Sequence, residues 1–125
     1  MLMNKDLKFL IVDDSAFMRK VVKDMLKESG YENVHEAANG LQAVEQAAII
    51  KPDIITMDIT MPDMDGIQAI KEVLKVSPNS KIIMCSALGQ KNMVLEAIRS
   101  GAKEYVIKPF EKSRLMEAIE RVMYS

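Results

Sequence analysis

Phe9-Leu10-Ile11-Val12 runs into Asp13-Asp14, and Ile54-Ile55-Thr56-Met57 runs into Asp58. Lys81-Ile82-Ile83-Met84-Cys85 runs into Ser86, and Tyr105-Val106-Ile107 runs into Lys108-Pro109. Each apolar run therefore stops at a carboxylate, a hydroxyl or an ammonium group. Three neighbouring carboxylates cannot all stay ionised without help. At ~4 Å each pair repels by ~4 kcal/mol at an effective dielectric near 20, so a cation must join them or one must hold a proton. An all-oxygen site with open positions suits Mg²⁺, which keeps waters and pairs with substrate phosphates. Zinc is disfavoured, because His35 and Cys85 are the only softer ligands and nothing in the pattern brings them together. With Mg²⁺ seated, an aspartate oxygen can attack phosphorus, Lys108 can balance one phosphoryl oxygen and Ser86 can hydrogen-bond another. The product would be an acyl phosphate on the protein.

That chemistry requires the run ends to meet. Short apolar runs bounded by turn signals read as strands buried on both faces, and open parallel sheets place their sites beyond the carboxyl ends of the strands. Helix-period stripes separate the runs. Met18, Val21, Val22, Met25 and Leu26 form the first, ended by Ser29-Gly30, a left-handed cap signal. Val34–Ala38 is a weaker strand, followed by a helix turning Leu41, Val44, Ala47 and Ala48 inward. Lys51-Pro52-Asp53 breaks that helix. A loop over 59–65 leads to a helix with Ile67, Ile70, Val73 and Leu74 on one face, closed by Ser77-Pro78-Asn79. The fourth helix carries Val94, Ala97 and Ile98 and ends at Ser100-Gly101; the fifth carries Leu115, Ala118, Ile119 and Val122. Five strand–helix units imply a doubly wound α/β fold with a parallel five-stranded sheet and right-handed crossovers. Alternation alone does not give the strand order. The flavodoxin-like order 2-1-3-4-5 would set the first strand beside the third and bring Asp13, Asp14 and Asp58 together at the switch point.

Composition narrows the classes further. The 125 residues suit one domain over 1–125, with its core about 7–124 and no output domain. Lys and Arg total 17 against 18 Asp and Glu, so no global charge draws the chain to nucleic acid or an anionic membrane. One cysteine excludes an internal disulfide and suits a reducing compartment. The start Met1-Leu2-Met3-Asn4-Lys5-Asp6 lacks the apolar stretch of a signal peptide, and no run reaches the ~20 apolar residues of a membrane span. A cytoplasmic monomer is expected.

Four motifs now carry a family resemblance. They are Val12-Asp13-Asp14-Ser15, Met57-Asp58-Ile59-Thr60-Met61-Pro62-Asp63-Met64-Asp65-Gly66, Cys85-Ser86-Ala87, and Gly101-Ala102-Lys103-Glu104-Tyr105-Val106-Ile107-Lys108-Pro109-Phe110. In this order and spacing the chain resembles the response-regulator receiver domains, and specifically the CheY-like single-domain chemotaxis regulators, over essentially its whole length. The resemblance implies Asp58 as phosphoacceptor. It implies that Asp14 binds Mg²⁺ directly, Asp13 largely through water, and the Thr60 backbone carbonyl as a further ligand. Ser86 stands at the family's switch hydroxyl, Lys108 is the phosphate-contacting lysine, and Tyr105 holds the switch-aromatic position. The Lys108–Pro109 bond is expected cis. Thr60 and Leu88 occupy the two positions that bear on phosphorylation lifetime in the family.

In the two-state scheme this implies, a phosphoryl group on Asp58 draws the Ser86 hydroxyl inward and the Tyr105 ring turns into the vacated room. The fourth helix, fifth strand and fifth helix would then be read by a partner. Implied partners are a histidine kinase of the CheA type, a flagellar motor switch protein and a phosphatase. Two neighbouring readings stay open: a phosphorelay intermediate, and the receiver piece of a larger regulator such as a chemotaxis methylesterase. A phosphatase with an aspartyl-phosphate intermediate is disfavoured, since Thr60 stands where its second aspartate should be. Read singly, Asp13-Asp14 could be a solvated helix start, Ser86 a cap, Lys108 a surface lysine and Tyr105 a half-buried strand residue. His35 and Cys85 read as structural. Most of the methionines fall on core stripes, with Met61, Met64 and Met93 expected outside.

Overall fold

A computed structural model describes residues 6–61 and 64–124. The segment Met1–Lys5 and the motif residues Pro62 and Asp63 lie outside the described residues, as does Ser125, so the expected 1–125 domain is described over its interior. The chain forms β1 (Phe9–Val12), α1 (Ala16–Glu28), β2 (Val34–Ala37), α2 (Gly40–Ile50) and β3 (Ile54–Asp58), followed by α3 (Gly66–Val76), β4 (Lys81–Ala87), α4 (Lys91–Ser100), β5 (Glu104–Lys108) and α5 (Lys112–Tyr124). All strand pairs are parallel, in the order β2-β1-β3-β4-β5 expected of a flavodoxin-like fold.

Alternation along the strands divides the interior into two layers. Leu10, Val12, Ile55, Met57, Ile82 and Met84 pack with Ala43, Ala47, Ala69, Ile70, Val73, Val94 and Ala97 of α2, α3 and α4. Phe9, Ile11, Ile54, Ile83, Cys85 and Val106 pack with Val22, Leu26, Leu115, Ala118 and Ile119 of α1 and α5. Fully burying one Leu or Ile contributes about 1.5–3 kcal/mol, so both faces of the sheet must be covered for the domain to hold.

Helix starts are fixed at the same edge of the sheet. The side chains of Ser15, Asn39 and Asp65 accept the backbone N–H of Met18, Gln42 and Gln68 respectively. Such caps are each worth about 1 kcal/mol. Gly66 closes the β3–α3 loop by donating its N–H to the Ile59 carbonyl at 3.0 Å. A Cβ at position 66 would sit 2.7 Å from the Ile59 backbone, so a side chain there would force the loop open.

Four expectations are corrected. β5 is not buried on both faces: Val106 is buried, but Tyr105 and Ile107 are 41% and 42% exposed, because β5 is an edge strand flanked loosely by α4. The same loose flank leaves Ile98 of α4 exposed rather than inward. In α2 the inner face is Gly40, Ala43 and Ala47, with Val44 partly buried, while Leu41 and Ala48 face outward. Small residues prevail there because α2 lies close to the β3–α3 loop, where a Cβ on Gly40 would meet the Met64 Cβ at 2.7 Å. Met61 is buried, and Met64 and Met93 are partly buried against the same cluster, so these methionines fill gaps rather than form an exposed surface.

Candidate functional site

Register decides which run ends meet. Val12 pairs with Met57, so Asp13 leaves β1 beside Asp58 at the end of β3, and Asp58 pairs with Cys85 one residue before Ser86. Carboxylate oxygens of Asp13, Asp14 and Asp58 all lie within 4.8 Å of one another, with Asp13 buried, Asp58 partly buried and Asp14 exposed. A wholly oxygen donor set with one exposed member fits a hard divalent cation that retains water, as Mg²⁺ does.

Each acid is held by its own neighbours. The Ser15 N–H donates to Asp13 Oδ1 at 2.9 Å, so the residue that caps α1 also fixes Asp13. Arg19 Nη1 donates to the Asp13 carbonyl at 2.7 Å. The Thr60 N–H donates to Asp58 Oδ1 at 3.2 Å. Lys108 arrives from β5 across the site, its Nζ 3.1 Å from Asp13 Oδ2 and 3.5 Å from Asp58 Oδ2. The Lys108–Pro109 peptide is cis, as expected.

Charge balance follows from this geometry. Burial raises the Asp58 pKa above its ordinary value; Lys108 and the Thr60 N–H oppose the shift, and Asp13 adds to it. Burial alone would lower the Lys108 pKa, but its bond to Asp13 and the nearby Asp58 carboxylate outweigh that and raise it. The lysine therefore stays charged, while burial makes the ionised form of Asp58 costly. A second cation would relieve that cost.

Ser86 is 1% exposed, and among the described residues its Oγ is buried without a hydrogen-bond partner. A hydroxyl in that state costs about 1–3 kcal/mol, which makes it a donor awaiting an acceptor. It borders a groove of about 330 Å³ between α4 and β5, lined also by Leu88, Val94, Leu95, Ile98, Tyr105 and Ile107. Tyr105 pairs in register with Met84, two residues before Ser86, so the ring and the hydroxyl lie on the same face of the sheet.

Asp13, Asp14, Asp58 and Lys108 thus converge, with Thr60 bound to Asp58 and Ser86 at the rim. Tyr105 lies in the groove rather than among the acids. His35 bonds Asn33 at 2.8 Å and Cys85 is buried with its thiol pushed up to about 12, so neither adds a ligand to the three carboxylates. Sequence reading missed Arg19 and Gln90. Gln90 Oε1 accepts the Ala87 N–H at 2.6 Å, while its Nε2 donates to Thr60 Oγ1 at 3.0 Å. The only signal for Gln90 was an amide at the first turn of a helix, where Ser, Thr, Asn or Asp would be the ordinary choice.

Comparison with known proteins identifies the family and the fold. Residues 9–120 match the model of the response regulator receiver domain. The chemotaxis protein CheY of Thermotoga maritima is 57% identical over 115 residues, covering 92% of this chain and 96% of that protein. CheY of Bacillus subtilis is 53% identical over 116 residues, covering 93% and 97%. The structure of Vibrio cholerae chemotaxis protein CheY4 superposes with a TM-score of 0.86 at 32% identity, covering 94% of this chain and 99% of that one. The convergence of acids, lysine and buried hydroxyl on a 2-1-3-4-5 sheet, together with a match spanning most of the sequence, has one conclusion: the chain belongs to the response regulator receiver domain family.

Proposed function

We propose that this chain is a chemotaxis response regulator of the CheY type that carries its signal as a phosphoryl group on Asp58. The observation that supports this most is Lys108 bridging Asp13 and Asp58 beside a cluster of three carboxylates. An Asp58 oxygen attacks the phosphorus of a phosphohistidine on a CheA-type kinase. The new P–O bond forms as the P–N bond breaks, and the electron pair leaves with the imidazole. Lys108 offsets charge on the arriving oxygens, and the Ser86 hydroxyl gains the acceptor it lacks. Asp14, Asp58 and the Thr60 carbonyl, with Asp13 largely through water, would hold Mg²⁺, which would supply charge neutralisation for the transfer.

Phosphorylation then changes the α4–β5 groove. Ser86 moving toward the phosphoryl group frees space beside Tyr105, and the altered face binds a flagellar motor switch protein. A phosphatase resets the state. The protein acts as a binding module that assists its own phosphorylation and dephosphorylation, in the cytoplasm and as a monomer. Among the described residues no helix is long and apolar enough to cross a membrane.

Acetyl phosphate with Mg²⁺ tests the assignment. The wild-type chain should gain one phosphoryl group by intact mass, and Asp58→Asn should gain none. Undiminished labelling of Asp58→Asn would remove Asp58 from the mechanism.

A further inference from the structure

Gln90 is the residue that neither motif nor family resemblance singles out, yet its side chain touches Thr60 in the β3–α3 loop and Ala87 at the end of β4. It precedes α4 and makes no side-chain cap bond to that helix. Both ends of the carboxamide are used elsewhere. Oε1 accepts the N–H of Ala87, the residue directly after Ser86, at 2.6 Å. Nε2 donates to the hydroxyl of Thr60 at 3.0 Å and lies 3.8 Å from Met93 Sδ. Thr60 in turn gives its N–H to Asp58 Oδ1 at 3.2 Å. A continuous chain of hydrogen bonds thus runs from the Asp58 carboxylate through Thr60 and Gln90 to the backbone beside the unpartnered Ser86 hydroxyl.

The carboxamide is rigid and planar, so it sets the gap between Thr60 of the β3–α3 loop and the end of β4. An incoming phosphoryl group must be received in that gap, with Asp58 on one side and Ser86 on the other. Holding both walls before the reaction removes reorganisation from the step itself, which is how preorganised groups accelerate transfer. Without Gln90 the Ala87 N–H and the Thr60 hydroxyl turn to water, since both residues are exposed, and the gap is no longer fixed. Stability would change little, because water replaces both bonds.

We propose that Gln90 is a positioning residue for phosphoryl transfer to Asp58, acting as a strut between Thr60 and Ala87. This rests on Asp58 being the phosphoacceptor. Because the strut requires the Thr60 hydroxyl at its other end, removing either end should have the same consequence, and removing both should add nothing.

The experiment measures initial labelling rates with acetyl phosphate and Mg²⁺ for wild type, Gln90→Ser, Thr60→Val and the double variant. Serine is the better helix-start residue but cannot span to Thr60, so it removes the strut while favouring α4. The expected result for Gln90→Ser is a maximal rate reduced about 5-fold, in line with the loss of one net hydrogen bond. Its half-saturating acetyl phosphate should be unchanged and its thermal midpoint no lower than wild type. Thr60→Val should lose a similar factor, and the double variant should match the singles rather than multiply them. Labelling of Gln90→Ser within 2-fold of wild type, or multiplicative losses in the double variant, would overturn the strut while leaving Asp58 as acceptor. A wild-type chain that takes no label would overturn both.

Discussion

The centre of the sheet and its β5 edge are built to opposite rules. β1 is buried at every position and β3 at all but Asp58, and the charged groups at their ends are tied to Lys108, Ser15 and Thr60. On β5 and α4, Tyr105, Ile107, Leu95 and Ile98 are each more than 40% exposed along a groove. Covered strands hold charges at fixed separations and strip water from them, which reactive chemistry needs. An uncovered apolar face leaves surface for another molecule, and such patches mark interaction sites. Ser86 and Lys108 belong to both regions: each stands at a strand end beside the acids, and each is on or next to β5. A change at the acids can therefore reach the groove through one register step.

The sharpest way to break this division is to damage the centre and leave the edge. Lys108→Ala removes the cation between Asp13 and Asp58 while leaving every residue that lines the groove in place. Labelling by acetyl phosphate should slow by about 10²–10³-fold, the scale for losing one preorganised electrostatic contact. Whatever small fraction does become labelled should still bind the readout partner. A rate within 10-fold of wild type would mean that the lysine is a structural counter-ion only. The converse variant damages the edge. Tyr105→Ala should take label within about 2-fold of wild type, yet lose the difference in partner affinity between its free and beryllofluoride-loaded forms. Conformational couplings of ~1–3 kcal/mol correspond to about 5- to 150-fold in affinity, so the loss is measurable by titration. Retained discrimination would take the switching role away from Tyr105.

How much of each region was legible differs for the same physical reason. The centre follows from pattern: unbroken apolar runs can only be interior strands, and parallel pairing forces their ends to one side. Asp13, Asp14, Asp58, Ser86 and Lys108 were therefore found by where the runs stop. The edge was misread because Tyr105-Val106-Ile107 looks like an interior run, and nothing local in it says that no strand lies beyond. The inner face of α2 was also misplaced, since Leu41 and Ala48 carry more hydrophobic signal than Gly40 and Ala43, and only close approach to Met64 makes the small residues face inward. Gln90 and Arg19 escaped because their partners, Thr60 and the Asp13 carbonyl, come near only in three dimensions. Met61 reads as a loop residue until its side chain is seen buried in the core.

A smaller effect sharpens the charge argument at the centre. Magnesium that binds only the folded acids should stabilise the domain by about 2.7 kcal/mol at 100 times its dissociation constant. Calorimetry should show the thermal midpoint of the wild type rising by several degrees with added Mg²⁺. Asp14→Asn should lose most of that rise, while folding normally in its absence because Asp14 is exposed. An undiminished rise in Asp14→Asn would mean that the cation is bound elsewhere.

The smallest expected effect concerns Cys85, which lies under the acids at the floor of the site. Burial pushes its thiol from 9.0 up to about 12, opposed by Lys108 and reinforced by Asp58 and Asp13. The unfolded chain releases this proton near its ordinary value of 9.0, whereas the folded chain keeps it. Stability from this group is therefore complete below pH 9 and declines as pH rises toward 12. Tyr31 and Lys108 are also raised, from ordinary values of 10.0 and 10.5, so their contributions decline in the same direction but begin at higher pH. Cys85→Ala should lower the midpoint at every pH by the loss of packing, yet delay the alkaline fall until near pH 10. Thermal melts at closely spaced pH values resolve onset from offset. If the variant and the wild type begin to fall at the same pH, the thiol is ionising freely, and the floor of the site is wetter than the packed centre described above.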